Sequence, residues 1–158
     1  MSAPDALYVA LKPDIEGVSG HLFEVSVDCL RNRGAFLPHG AVLNAQGETR
    51  MVMAAPPGFE TRAVSSTEVL PMLHEALRTA AREPDIQAVA VCEDVTVVPE
   101  GGRQTAAIKV LVEHQRGLCV ALYLPYKKKL LGGYGLGVVF AKPATPEVRV
   151  WRDSPASG

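Results

Sequence analysis

The chain has 158 residues, 47% of them hydrophobic and 21% charged, and its 16 basic and 17 acidic side chains leave a formal net charge of -1. This length suits one domain with its own core, and the charge balance speaks against a dedicated, sequence-indifferent nucleic-acid binder. No apolar run approaches the roughly 20 residues of a membrane span, and the start MSAPDALYVALKP lacks the basic segment and apolar core of a secretory signal, so the expected compartment is the cytoplasm.

Residues 1–20 carry a short apolar run, Ala6–Leu11, followed by Lys12-Pro13-Asp14, Gly17 and Gly20. They read as an N-terminal arm or short strand ahead of a single domain over 21–151. In HLFEVSVDCLRNR (21–33), Leu22, Val25 (or Phe23), Cys29 and Leu30 recur at helical spacing, while Phe23, Val25 and Val27 alternate as in a strand. The basic ending before Gly34 favours a helix. Ala41–Ala54 reads as a hairpin turning at AQGE. Ser65–Glu83 is the clearest helix: Val69, Leu70, Leu73, Leu77, Ala80 and Ala81 form one stripe. Ser65 and Glu68 have the spacing of a capping box, and Pro71 demands either a later start or a kink.

The second half predicts strands. Ile86–Val98 is apolar on both faces, as a central strand is. PEGGR (99–103) turns into an alternating run over 106–113, and HQRG (114–117) turns into another over 118–124. Segments 136–141 and 147–151 are candidate further strands, and 152–158 a flexible tail. The sum is an α+β domain with a single, mainly antiparallel sheet of about five or six strands and two helices on one face. In topology this resembles profilin-like or roadblock-like domains, in which a hairpin and a meander share one sheet. That likeness implies a fold and no chemistry.

The segment LPYKKKLLGGYGLG (124–137) raises the functional question. From His114 to Pro146 there is no acidic residue, whereas Glu83–Glu100 holds five acids and no Lys or Arg. A phosphate loop needs its glycines before the lysine and a helix after it. Here Lys127, Lys128 and Lys129 come first, and the dinucleotide fingerprint lacks its strand–helix unit. Alternating Gly133, Gly135 and Gly137 instead mark a place where the sheet bends or a large side chain such as Tyr123 or Trp151 crosses. With Tyr126 and Tyr134 beside them, the lysines make a candidate interaction or anion-binding patch, against the plain alternative of a solvated loop that discourages edge pairing.

The sequence carries no catalytic motif. The histidines (His21, His39, His74, His114) show no metal spacing, and no cofactor motif is found. Cys29, Cys92 and Cys119 are odd in number, apolar in surroundings and outside any nucleophile pattern, which makes them buried free thiols. Adjacent strand residues point to opposite faces, so Glu93 and Asp94 cannot act as a pair. Each is a candidate ion-pair partner for Lys109 or Arg103. His39, in Pro38-His39-Gly40, is the most unusual loop histidine.

Taken together, FLPHGAVLNAQGETR, QAVAVCEDVTV, AIKVLVEHQRG and VALYLPYKKK resemble a group of small bacterial proteins without an assigned function, over roughly residues 36–141. The resemblance implies a bacterial, cytoplasmic setting and that Pro125, Tyr126, Lys127 and Lys128 act as a unit. It implies no reaction, cofactor or partner. The expectation is a non-enzymatic protein working through protein–protein interaction or as a homodimer. A second subunit would cover the sheet face that the helices leave open, and the basic patch would meet an acidic protein or a small anion. The rival is an enzyme or ligand-binding domain with a pocket drawing together His39, Glu93, Asp94 and Lys127–Lys129.

Overall fold

Leu11, Ile15, Val18, Leu22, Ser26 and Leu30 recur every three or four residues. In the computed structural model, which describes residues 3–59, 61 and 63–151, they form the buried stripe of one helix, α1 (Ala3–Arg33). Residues 3–20 are therefore the first half of this helix, not an arm or a strand. Pro13 removes one backbone donor, but Pro13 and Val9, whose carbonyl loses its partner, are both exposed, so water can take the donor's place. Burying the apolar stripe outweighs the weak propensities of Pro13, Gly17 and Gly20. The expected tail over 152–158 lies outside the described residues.

The hairpin is β1 (His39–Asn44) with β2 (Thr49–Val52), and the meander is β3 (Ile86–Val97), β4 (Thr105–His114) and β5 (Cys119–Lys128). All pairs are antiparallel, in the order β2-β1-β3-β4-β5. Two short strands, β6 (Tyr134–Leu136) and β7 (Phe140–Pro143), both line the outer edge of β5, which brings the sheet to seven strands. The run expected as one strand over 136–141 is thus divided between them. Residues 147–151 are not a strand. They belong to an irregular strap that buries Val148. The second helix, α2 (Ser66–Ala80), starts at Ser65, whose side chain accepts the Glu68 N–H, and runs through Pro71.

Period two sorts the sheet. Ala88, Ala90 and Cys92 with Ile108, Val110, Val112, Val120, Leu122 and Leu124 meet α1. Val42, Val89 and Val91 on the reverse face meet Val69, Leu73 and Leu77 of α2. The helices lie on opposite faces, which corrects the expectation of one covered face. A central strand apolar on both sides needs cover on both, and the chain supplies it internally. Cover on the α2 side is incomplete, however. α2 lies over β1–β3, and the strap caps the Glu113 end of β4. Val95, Val97, Tyr123 and Phe140, farther along that face, stay partly exposed, with Tyr123 and Phe140 stacked at 5.1 Å between centroids.

Gly40 is not in the loop that Pro38-His39-Gly40 suggests. It pairs inside β1 with Val52 and Val91, and a Cβ there would lie 2.6 Å from the Ala90 carbonyl oxygen and 3.1 Å from Leu77 Cδ1. The residue is glycine because the Ala90 carbonyl of β3, and after it Leu77 of α2, leave no room for a side chain.

Candidate functional site: a basic hairpin with an apolar tip

The lysine segment closes a hairpin. Lys127 and Lys128 end β5 opposite Gly135 and Tyr134 of β6. The Lys129 N–H donates to the Gly133 carbonyl at 3.0 Å and the Gly132 N–H to the Lys129 carbonyl at 3.2 Å. Gly132 and Gly133 have φ of 97° and 79°, conformations open to glycine at little cost. This braced turn holds Leu130 and Leu131 outward, both fully exposed. Lys127, Lys128 and Lys129 are exposed just before them, and Leu136 and Val138 add exposed apolar surface behind. The two leucines are what sequence reasoning missed. Their signal was the pair Leu-Leu between a charge run and two glycines, a turn composition with no core to enter.

At the base of the hairpin the Tyr126 hydroxyl donates to Asp94 Oδ1 at 2.7 Å, reaching across β4. Tyr134 stands edge-on to Tyr126 at 5.9 Å. Burial first, and then Asp94, push the Tyr126 phenol above its ordinary range, so it stays a neutral donor. Tyr126, Tyr134, Lys127, Lys128, Lys129 and Asp94 thus gather at one end of the sheet. The glycine alternation makes room for neighbours other than those expected: a Cβ on Gly137 would meet the Pro125 ring at 3.1 Å, and one on Gly135 the Lys129 stem at 3.3 Å.

The other sequence candidates do not join this group. Glu93 points to the opposite face from Asp94 and sits across from Lys109, whose ammonium lies 3.6 Å from Glu147. His39 is buried against α1. Its Nδ1–H donates to the Leu37 carbonyl at 2.9 Å, which leaves Nε2 of the neutral ring to accept from Ser26 Oγ at 3.3 Å. Ser26 Oγ in turn lies 3.1 Å from Cys92 Sγ. The order His–Ser–Cys has the look of a nucleophile relay, but all three are buried, and burial pushes the Cys92 thiol up to about 12. It is a polar bolt between α1 and the sheet. Cys119 is likewise pushed up to about 12 by burial. Cys92 is a buried free thiol as expected, whereas Cys29 and Cys119 are only partly buried. Among the described residues no three His, Cys, Asp or Glu side chains gather as a metal site, and no helix is long and apolar enough to cross a membrane.

Buried histidines set the acid response of the fold. His39, His74 and His114 are all lowered from 6.5, each chiefly by burial, and the enclosed Nε2 of His74 has no partner among the described residues. As pH falls below 6.5, the unfolded chain takes up protons that the folded chain refuses, so stability drops toward the lowered folded values. Glu93, raised from 4.5 by burial, works the other way, with stability lost as pH rises through 4.5 toward its folded value. Three histidines outweigh one carboxylate, and urea melts are expected to show a lower midpoint at about pH 5.5 than at about pH 7.5. Equal midpoints would contradict neutral burial of the histidines.

Comparison with protein-family models, with curated proteins and with solved structures finds no match to this chain in any of the three.

Proposed function

We propose that the protein is a non-enzymatic interaction module whose contact element is the β5–β6 hairpin, with a second copy of the chain as its first partner. The observation that carries this is the pair Leu130–Leu131, fully exposed on a turn whose own hydrogen bonds hold it in place. Burying a leucine side chain is worth about 1.5–3 kcal/mol, so a partner that covers both gains about 3 kcal/mol or more. The uncovered stretch around Val95, Val97, Tyr123 and Phe140 adjoins the hairpin through Pro125 and Gly137. It offers the sheet face on which a second copy can lie. Lys127–Lys129 favour an acidic rim on the partner. The lysines then govern encounter rate and salt dependence more than final affinity.

Light scattering coupled to size exclusion, at low and high salt, tests this. The wild-type chain is expected to run as a dimer that survives salt. Substituting Leu130→Ser with Leu131→Ser removes about 3 kcal/mol or more and so raises the dissociation constant at least about a hundredfold. A wild-type monomer in both buffers would remove self-association from the proposal. A dimer indifferent to the double substitution would remove the hairpin from it.

A further inference from the structure

At the end of the sheet away from the hairpin is a cavity of about 710 Å³, within the size range of small-molecule sites. Its walls come from the first turns of α1, the β4–β5 turn, β7 and the strap. The apolar surface is given by Tyr8, Leu118, Val120, Pro143, Pro146 and Trp151.

Two cations, Lys142 and Arg149, stand in this lining. Among the described residues, the exposed Lys142 has the Phe140 ring 5.7 Å from its ammonium, and the exposed Arg149 a long contact from Nε to the Pro146 carbonyl at 3.5 Å. Neither has a carboxylate partner among the described residues. The acids that share the lining are already engaged. Glu113 is buried and accepts the N–H groups of Glu147, Val148 and Arg149 at 3.0, 2.8 and 2.8 Å, and Asp5 has a partner of its own. His114 accepts the Arg116 N–H at Nδ1 and so donates from Nε2 to Asp14 at 3.2 Å. The carboxylates of the lining are thus held by partners elsewhere, whereas the exposed Lys142 and Arg149 have no carboxylate partner among the described residues and are the groups open to a ligand anion.

The same three hydrogen bonds on Glu113 make the site preformed. They fix the strap as a wall and hold Arg149 at a φ of 61°, a conformation unusual for a residue with a side chain. A preformed apolar space lowers the ordering cost of binding, and the exposed side chains of Lys142 and Arg149 stand beside it.

We infer that this cavity is a binding site for a small amphipathic monoanion, a carboxylate with an aliphatic or aromatic body. Its head group sits against Arg149 and Lys142, and its body against Leu118, Val120 and Trp151. The site is separate from the hairpin and does not depend on the interaction proposed for it.

Trp151 is the chain's one tryptophan and serves as the reporter. Sodium decanoate is titrated into the full chain while tryptophan emission is followed, with decanol and decyltrimethylammonium as the neutral and cationic probes. A saturable change with decanoate is expected, at least about tenfold tighter than either control, as losing one charge-assisted contact implies. Arg149→Gln and Lys142→Gln are each expected to weaken decanoate several-fold while leaving the thermal midpoint in place. Binding in the Leu130→Ser, Leu131→Ser chain is expected to match wild type, which separates the cavity from adhesion to the exposed tip. Equal affinity for all three probes would overturn the assignment of an anion. No saturable response to decanoate, or its loss in the tip variant alone, would overturn the site.

Discussion

Replacing Glu113 by alanine is expected to lower the stability of the fold by about 3 kcal/mol or more, because three backbone donors lose one buried, charged acceptor together. The Glu147, Val148 and Arg149 N–H groups all converge on this carboxylate, and Val148 between them is buried against α2. The strap has no sheet ladder to fall back on; beyond these bonds and Val148 it is held by Arg78, whose Nε–H donates to the Val148 carbonyl at 2.8 Å, and by Lys109, 3.6 Å from Glu147. Urea titration followed by far-UV circular dichroism measures the loss. Trp151 emission in the absence of denaturant should shift red as the strap comes away and the indole meets water. Glu113→Gln should fall between the two, since its amide oxygen still accepts while its NH₂ faces the same donors. A loss below about 1 kcal/mol for the alanine variant would mean that water replaces the carboxylate freely.

Gly40→Ala is expected to cost about 3 kcal/mol, large for the addition of one methyl group. The new carbon would meet the Ala90 carbonyl oxygen at 2.6 Å and Leu77 Cδ1 at 3.1 Å. Leu77 can rotate or be shortened, but Ala90 is backbone in β3, held on both sides by β1 and β4. Adding Leu77→Ala should therefore recover little. A full recovery would show that the helix, not the strand, limits the space. Gly17 and Gly20 serve as the internal contrast. They sit in α1 with nothing within 4 Å of a new Cβ, and alanine at either should stabilise by up to about 1 kcal/mol.

Much of the sheet was legible from residue pattern. The alternation through Ala106–Val112 and Leu118–Leu124, with short turns between, determines strand number and neighbours, because period two leaves one register that buries the apolar set. α1 was half legible. Its stripe from Leu11 to Leu30 runs on through Pro13, Gly17 and Gly20, and local propensity reads these as stops while burial against five strands overrides them. The placement of α2 on the face opposite α1 was not legible. It depends on which side the β2–α2–β3 crossover takes, and the apolar pattern of Ile86–Val97 accepts cover from either side. The lysine patch and its tyrosines were legible as a cluster. The tip was not, because exposure of Leu130 and Leu131 follows from the turn geometry and from the lack of any neighbour. Lys142, Arg149 and Glu113 could not be singled out in sequence. Their meaning arises only when residues 144–151 fold back over β4, more than 30 positions away.

The polar ties of α1 also order its assembly in time. Asp14 bonds His114 across 100 positions, and Ser26 reaches Cys92 across 66. The meander, by contrast, closes through short turns. Loop closure favours the near pairings first, so α1, made before the strands it covers, is among the last elements to find its seat. Until it does, Ala88, Ala90, Cys92 and their neighbours on β4 and β5 form a bare apolar sheet face, and the nascent chain carries its helix as an unmatched amphipathic rod. The long buried stripe that secures the finished fold is therefore also the surface that chaperones would have most reason to hold during synthesis.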